Sequence, residues 1–149
     1  MPRLPRNHLT DGYFHATARA VFGTALFEND LDRIDFLQLL GSTAALLEWR
    51  CHAHCLMGTH YHLVLEATQA RLSEGMRRLN GSYARRFNKR HGRRGHLFDE
   101  RFASWVIRDE RHRSTADRAR AVARAAVLGH GLAHVARHLP PRGRRHPAR

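Results

Sequence analysis

The stretch Met57-Gly58-Thr59-His60-Tyr61-His62-Leu63-Val64-Leu65-Glu66 decides the fold. Gly58-Thr59 reads as a tight turn, and the residues after it read as a β-strand. Alternate side chains on a strand share a face. His60, His62, Val64 and Glu66 therefore lie on one surface; Tyr61, Leu63 and Leu65 face the other way, into a core. Two imidazoles on one sheet face can hold a divalent metal. The pair alone is weak evidence. With 13 histidines in 149 residues, about one His-x-His arises by chance, and His52-Ala53-His54 is another. The neighbours of the pair decide what it means.

Upstream, residues 50–57 alternate as a second strand, with Cys51, Ala53, Cys55 and Met57 on one face and His52 and His54 on the other. The two-residue link makes 50–57 and 60–66 an antiparallel hairpin. Before it, Asn29 is an N-cap with Asp30 and Asp32 in the first turn, where acids suit the helix dipole. Leu37, Leu40, Ala44 and Leu47 recur at helical spacing, so one amphipathic helix runs over about 30–48. Gly41 weakens it slightly. The β-formers of residues 12–19 make a first strand, with Tyr13, His15 and Thr17 on one face; residues 1–10 are a Pro/Arg arm.

Downstream, Leu72, Met76, Leu79, Tyr83 and Phe87 form an apolar stripe on a helix over about 70–90. The rest of its surface carries Arg71, Arg77, Arg78, Arg85, Arg86, Lys89 and Arg90, and the loop 91–95 adds Arg93 and Arg94. Residues 98–107 read as a fourth strand. No aromatic residue follows Trp105 and no acid follows Asp117. An Ala-rich helix is expected over 109–138 and a disordered basic tail over 139–149.

The formal net charge is +13. A surface this basic attracts polyanions, nucleic acid first. No apolar run reaches membrane-spanning length, and no signal peptide is visible. Two cysteines make no disulfide framework, which points to the bacterial cytoplasm. A zinc site built from Cys51, Cys55, His60 and His62 has the right residue types. Four residues of extended strand nevertheless separate the thiols by over ~10 Å, so two buried reduced cysteines are the better reading. The basic helix and its loop are the nucleic-acid candidate, against the alternative of a merely solvated face. Arginines there neutralise phosphates or stack on bases, and Asn80, Asn88 and His96 add polar contacts. The expected DNA-contacting set is Arg77, Arg78, Asn80, Arg85, Arg86, Asn88, Lys89, Arg90, Arg93, Arg94, His96 and Arg101.

Together these stretches resemble a known family. His60-Tyr61-His62 entered by Leu56-Met57, Tyr13-Phe14-His15-Ala16-Thr17-Ala18-Arg19, Gly75-Met76-Arg77-Arg78-Leu79-Asn80-Gly81-Ser82-Tyr83, and Gly95-His96-Leu97-Phe98 stand in the order seen in IS200/IS605-type single-tyrosine HUH transposases. They are most similar to the REP-associated tyrosine transposase branch. The likeness spans roughly residues 9–112, and Gly58-Thr59 stands where the family usually has Pro-Asn. The resemblance implies an α+β fold, an antiparallel four- to five-stranded sheet with helices packed on it, as a transposase domain over 1–112. It implies binding of single-stranded or hairpin DNA by a monomer or homodimer near the nucleoid. It also implies Mg²⁺ or Mn²⁺ held by His60 and His62, and cleavage and rejoining of DNA by a tyrosine beyond the fourth strand.

That tyrosine has no match. The three tyrosines are Tyr13, Tyr61 and Tyr83. The expectation is therefore a transposase-like protein with impaired catalysis and an aberrant segment 113–149, read as out-of-frame translation. Translating the other two frames beyond codon 112 should yield a tyrosine followed by an Asn-Pro pattern; its absence from both removes the frameshift explanation. Two alternatives remain, a non-catalytic DNA-binding remnant and a basic RNA-binding protein.

Overall fold

The computed structural model describes residues 12–107. The basic arm, the Ala-rich helix over 109–138 and the tail 139–149 lie outside the described residues. Six elements follow one another: β1 (Gly12–Arg19), α1 (Asp30–Leu47), β2 (Arg50–Leu56), β3 (His60–Ala67), α2 (Gln69–His91) and β4 (Ala103–Val106). The strands form one antiparallel sheet in the order β2-β3-β1-β4. The expected α+β architecture is therefore present, with four strands among the described residues.

One sheet face packs against α1 and α2. Phe14, Ala16 and Ala18 of β1 and Tyr61, Leu63 and Leu65 of β3 are buried there. From α2 come Leu72, Met76, Leu79, Tyr83 and Phe87, the stripe read from spacing. At the centre Phe36 lies 4.7 Å from the Tyr61 ring and edge-on to Tyr83 at 5.2 Å.

Three local features depart from the expectation. The alternation of β2 breaks at a register shift between Cys51 and Ala53. Cys51 stays paired with Leu65, whereas Cys55 faces His62 across the ladder. The two thiols thus sit on opposite faces instead of sharing one, because a bulge inserts a residue and inverts the pattern. Second, the buried face of α1 keeps Leu40 and Leu47 of the expected stripe, with Leu37 and Ala44 half-buried against the core, and widens to take in Asp32, Asp35, Phe36 and Thr43. Two aspartates belong to it because α2 supplies cations for them. Third, β4 is shorter than 98–107: Phe98 makes one isolated bridge to Ala20, and pairing with β1 starts at Ala103.

The helix ends are chemically specified. Asn29 accepts a hydrogen bond from the Asp32 N–H, and Asp32 accepts one from Glu28 N–H at 2.9 Å, a reciprocal cap. Gly92 ends α2 in the left-handed conformation at φ 62°, where a Cβ would be strained.

Candidate metal and nucleic-acid site

Register puts the histidine pair at one end of the two central strands. His62 lies between Thr17 of β1 and Cys55 of β2, and His60 lies opposite Arg19. The turn that delivers them is tied down from outside. Ala20 N–H donates to the Thr59 carbonyl at 2.8 Å and Leu26 N–H to the Gly58 carbonyl at 2.7 Å. Thr17 Oγ1 donates to the Tyr61 carbonyl at 2.7 Å, fixing the peptide between the two histidines.

The His60 and His62 rings meet edge to face, 5.1 Å between centres and 82° between planes. Two imidazoles ligating one ion at about 2.1 Å hold their centres roughly 5 Å apart, so the pair fits a shared cation. His60 Nδ1 lies 3.1 Å from Thr59 Oγ1, and His62 Nδ1 lies 2.9 Å from His15 Nε2. With the Nδ1 atoms so engaged, Nε2 is the nitrogen each ring would present to an ion, the usual outer-shell arrangement of metal-binding histidines. Burial lowers the pKa of His15, which favours the neutral ring needed for one nitrogen to accept. The alternation of β1 placed His15 on a face with Tyr13 and Thr17; nothing in it gave the β1–β3 register that brings it to His62.

The site is a pair, not a cage. Among the described residues no three His, Cys, Asp or Glu side chains converge on one ion. Glu66 shares the face but sits four residues beyond His62, roughly 13 Å along the strand. There it is engaged by His52 Nε2 at 3.2 Å and approached by Arg50 at 4.0 Å.

Two of the three tyrosine hydroxyls are committed elsewhere, and the third tyrosine stands away from the pair. Tyr61 is fully buried and donates to Asn80 Oδ1 at 2.5 Å. Tyr83 is fully buried and donates to the Leu26 carbonyl at 2.6 Å. Burial raises both phenol pKa values, which keeps them protonated. Tyr13 pairs across the ladder with Glu66, at the far end from His60.

The basic residues divide into two groups. Arg86 pairs with Asp35 at 2.6 Å; Arg90 bridges Asp32 and Asp35, reaching Asp35 at 3.0 Å. Asn88 donates to the Gly95 carbonyl and accepts from Arg93, which also reaches Thr24; these residues build the loop. Arg77, Arg78, Arg85, Lys89, Arg94 and Arg101 are exposed and make no ion pair among the described residues. Arg77, Asn80, His96 and Arg101 come together around a cleft of about 720 Å³ between α2 and the segment 96–102. Sequence spacing placed these residues in one set without indicating that they share a cavity.

Among the described residues no helix is long and apolar enough to cross a membrane. No curated protein matches the chain. Several solved structures do, among them the two that follow. A REP-associated tyrosine transposase bound to a REP hairpin aligns with a TM-score of 0.65 and 15% identity, covering 88% of this chain and 75% of that one. A candidate transposase from Deinococcus radiodurans R1 aligns with a TM-score of 0.54 and 17% identity, covering 88% of this chain and all of that one. At such identities these likenesses speak for the fold alone. Family membership rests on a sequence match: the model of IS200-like transposases matches residues 9–117, and the chain belongs to that family.

Proposed function

We propose that this protein binds single-stranded or hairpin DNA in the bacterial cytoplasm, at the nucleoid. On this reading it holds a divalent cation, Mg²⁺ or Mn²⁺, on His60 and His62 and lacks a tyrosine nucleophile beside them. The observation that carries the reading is the edge-to-face histidine pair on β3, in a transposase-family chain whose α2 presents unpaired cations. Such a cation, when bound, would polarise a phosphate held against the sheet. The protein's own residues orient the two imidazoles through Thr59 and His15 and attract the backbone through Arg77, Arg78, Arg85, Lys89, Arg94 and Arg101. A hairpin bound by the solved neighbour supports the choice of DNA. Two ring nitrogens suit Mn²⁺ better than Mg²⁺, which prefers oxygen.

The test is incubation of the full chain with labelled hairpin DNA and Mn²⁺. Salt-dependent retention without a covalent protein–DNA adduct or nick is the expected result. An adduct or a nicked strand would overturn the assignment of a missing nucleophile. His60→Ala should weaken Mn²⁺ binding, measured by calorimetry, by at least about tenfold; an unchanged affinity would remove the metal assignment. Arg78→Ala should reduce the slope of log affinity against log salt by about one. Arg90→Ala, whose guanidinium is spent on Asp32 and Asp35, should change that slope less.

A further inference from the structure

The cleft between α2 and the segment 96–102 has a lining that phosphate attraction alone does not explain. Arg77 and Arg101 stand at it, but so do Glu74, Asp99 and Glu100. A groove shaped only for a polyanion would be spoiled by three carboxylates. Carboxylates do suit a base, whose amino and imino groups donate hydrogen bonds along its edge. The apolar wall points the same way. Phe98 is half-buried, while Met76 and Phe102 are buried beside it. The Phe98 ring is braced edge-on by Tyr61 at 6.4 Å, and its backbone is bridged to Ala20. On either side of it, Val21 N–H donates to the Leu97 carbonyl and Asp99 N–H to the Arg19 carbonyl. The wall is therefore held before any ligand arrives.

Asn80 supplies orientation. The Tyr61 hydroxyl donates to Asn80 Oδ1 at 2.5 Å. Asn80 oxygen is thus the acceptor in that bond, and its amide –NH₂ is the group available to a ligand in the cleft. Tyr61 is the residue between the two histidines, so one strand holds the candidate cation pair on one face and sets the Asn80 donor from the other. A volume of about 720 Å³ lies within the range of small-ligand pockets.

We propose that this cleft takes the base of one unpaired nucleotide, stacked on Phe98 and hydrogen-bonded by the Asn80 amide, with Arg77 and Arg101 on the flanking phosphates. The proposal rests on the DNA-binding reading above and adds to it a base pocket distinct from the histidine pair. It predicts that part of the affinity depends on a base and not on the backbone.

The experiment uses the full chain with a short single-stranded DNA that carries one 2-aminopurine, and the same strand with an abasic site at that position. Wild type should bind the base-bearing strand roughly tenfold more tightly, the size of one base–aromatic stack, and binding should quench the 2-aminopurine. Phe98→Ala and Asn80→Asp should bring the base-bearing strand down to the abasic affinity while leaving the abasic affinity within about twofold for Phe98→Ala. Asn80→Asp keeps an acceptor for Tyr61, so its melting temperature should stay near that of wild type. The quenching needs no variant and decides the matter if either variant fails to fold. Equal affinity for both strands with no quenching, alongside intact salt-dependent binding, would overturn the base pocket and leave the DNA-binding reading standing. Absence of salt-dependent binding to either strand would overturn both.

Discussion

Asp32→Ala is expected to destabilise the protein by about 3–5 kcal/mol, the cost of removing one partner from a buried ion pair. That would lower its melting temperature by roughly 6–20 °C. Asp32 is fully buried. It accepts from Glu28 N–H at 2.9 Å, from His91 Nε2 at 3.0 Å and from Arg90. His91 also reaches Glu28 at 3.1 Å. Without Asp32, Arg90 and His91 lose their shared acceptor and the start of α1 loses half of its cap. Asp30 is the control. It is also a first-turn acid, but its side chain is 94% exposed and its one ion pair is with Arg33 at 3.6 Å. Asp30→Ala should cost less than about 1 kcal/mol. Thermal unfolding followed by circular dichroism separates the two; equal shifts would mean that Asp32 acts only on the helix dipole.

The same residue sets a pH dependence. Burial pushes the Asp32 carboxyl up, but the hydrogen bonds from His91, Glu28 N–H and Arg90 outweigh it and leave the carboxyl below its ordinary value. A lowered folded-state pKa adds stability above the unfolded value, and that stability is lost as pH falls toward the folded one. Wild type should therefore lose more urea resistance than Asp32→Ala between about pH 5 and pH 3. Parallel loss in both proteins would contradict the network.

How much of this was legible in the sequence follows from which forces act locally. The hairpin was readable because Gly58-Thr59 interrupts two alternating runs. The α2 stripe was readable because five apolar residues keep helical spacing with cations between them. The Asn29 cap was readable because capping is a contact over three residues. The buried face of α1 was readable only in part. Leu40 and Leu47 of the expected stripe are buried and Leu37 and Ala44 pack against the core, but hydrophobicity gives no sign that Asp32 and Asp35 are buried with them. Only the arrival of Arg86, Arg90 and His91, more than fifty residues later in the chain, makes burial of two acids favourable. The β2 bulge and the meeting of His15 with His62 were hidden for the same reason, since register between distant strands is a tertiary property.

The site was half legible on the same logic. A strand places two histidines on one face without help from the rest of the chain, so His60 and His62 could be paired from sequence. Outer contacts from Thr59 and His15, and the cleft that gathers Arg77, Asn80, His96 and Arg101, needed the fold. The expected DNA-contacting set likewise divides into cations that Asp32 and Asp35 of α1 engage and cations left for a ligand, and that division too needed the packing of α1 against α2.

Gly75→Ala is the second large effect, and its sign runs against helix propensity. Alanine is better than glycine inside a helix by about 1 kcal/mol. At Gly75, however, a Cβ would stand 2.1 Å from Trp49 Cζ2 and 2.6 Å from Leu47 Cδ1. Both neighbours are buried, Trp49 at 6% and Leu47 at 8% exposure, so neither can swing into solvent. Either α2 moves away or the indole leaves its place, and overpacking of this kind costs typically about 1–3 kcal/mol and occasionally more. The severity of the contact puts the overpacking cost at the top of that range, so the expected net loss after the propensity gain is about 2 kcal/mol. Gly41→Ala, on α1 with nothing within 4 Å of its Cβ, should instead stabilise by about 0.5–1 kcal/mol. Opposite shifts in the urea midpoint are the expected result; shifts of the same sign would mean that α2 does not approach Trp49 so closely. Trp49→Leu added to Gly75→Ala should recover part of the loss, because the smaller side chain opens the space that the Cβ needs. The functional consequence lies five residues along α2. Asn80 meets the Tyr61 hydroxyl only at the present depth of the helix. Gly75→Ala should therefore also weaken the discrimination between base-bearing and abasic DNA, while the exposed arginines of α2 keep their pull on the backbone.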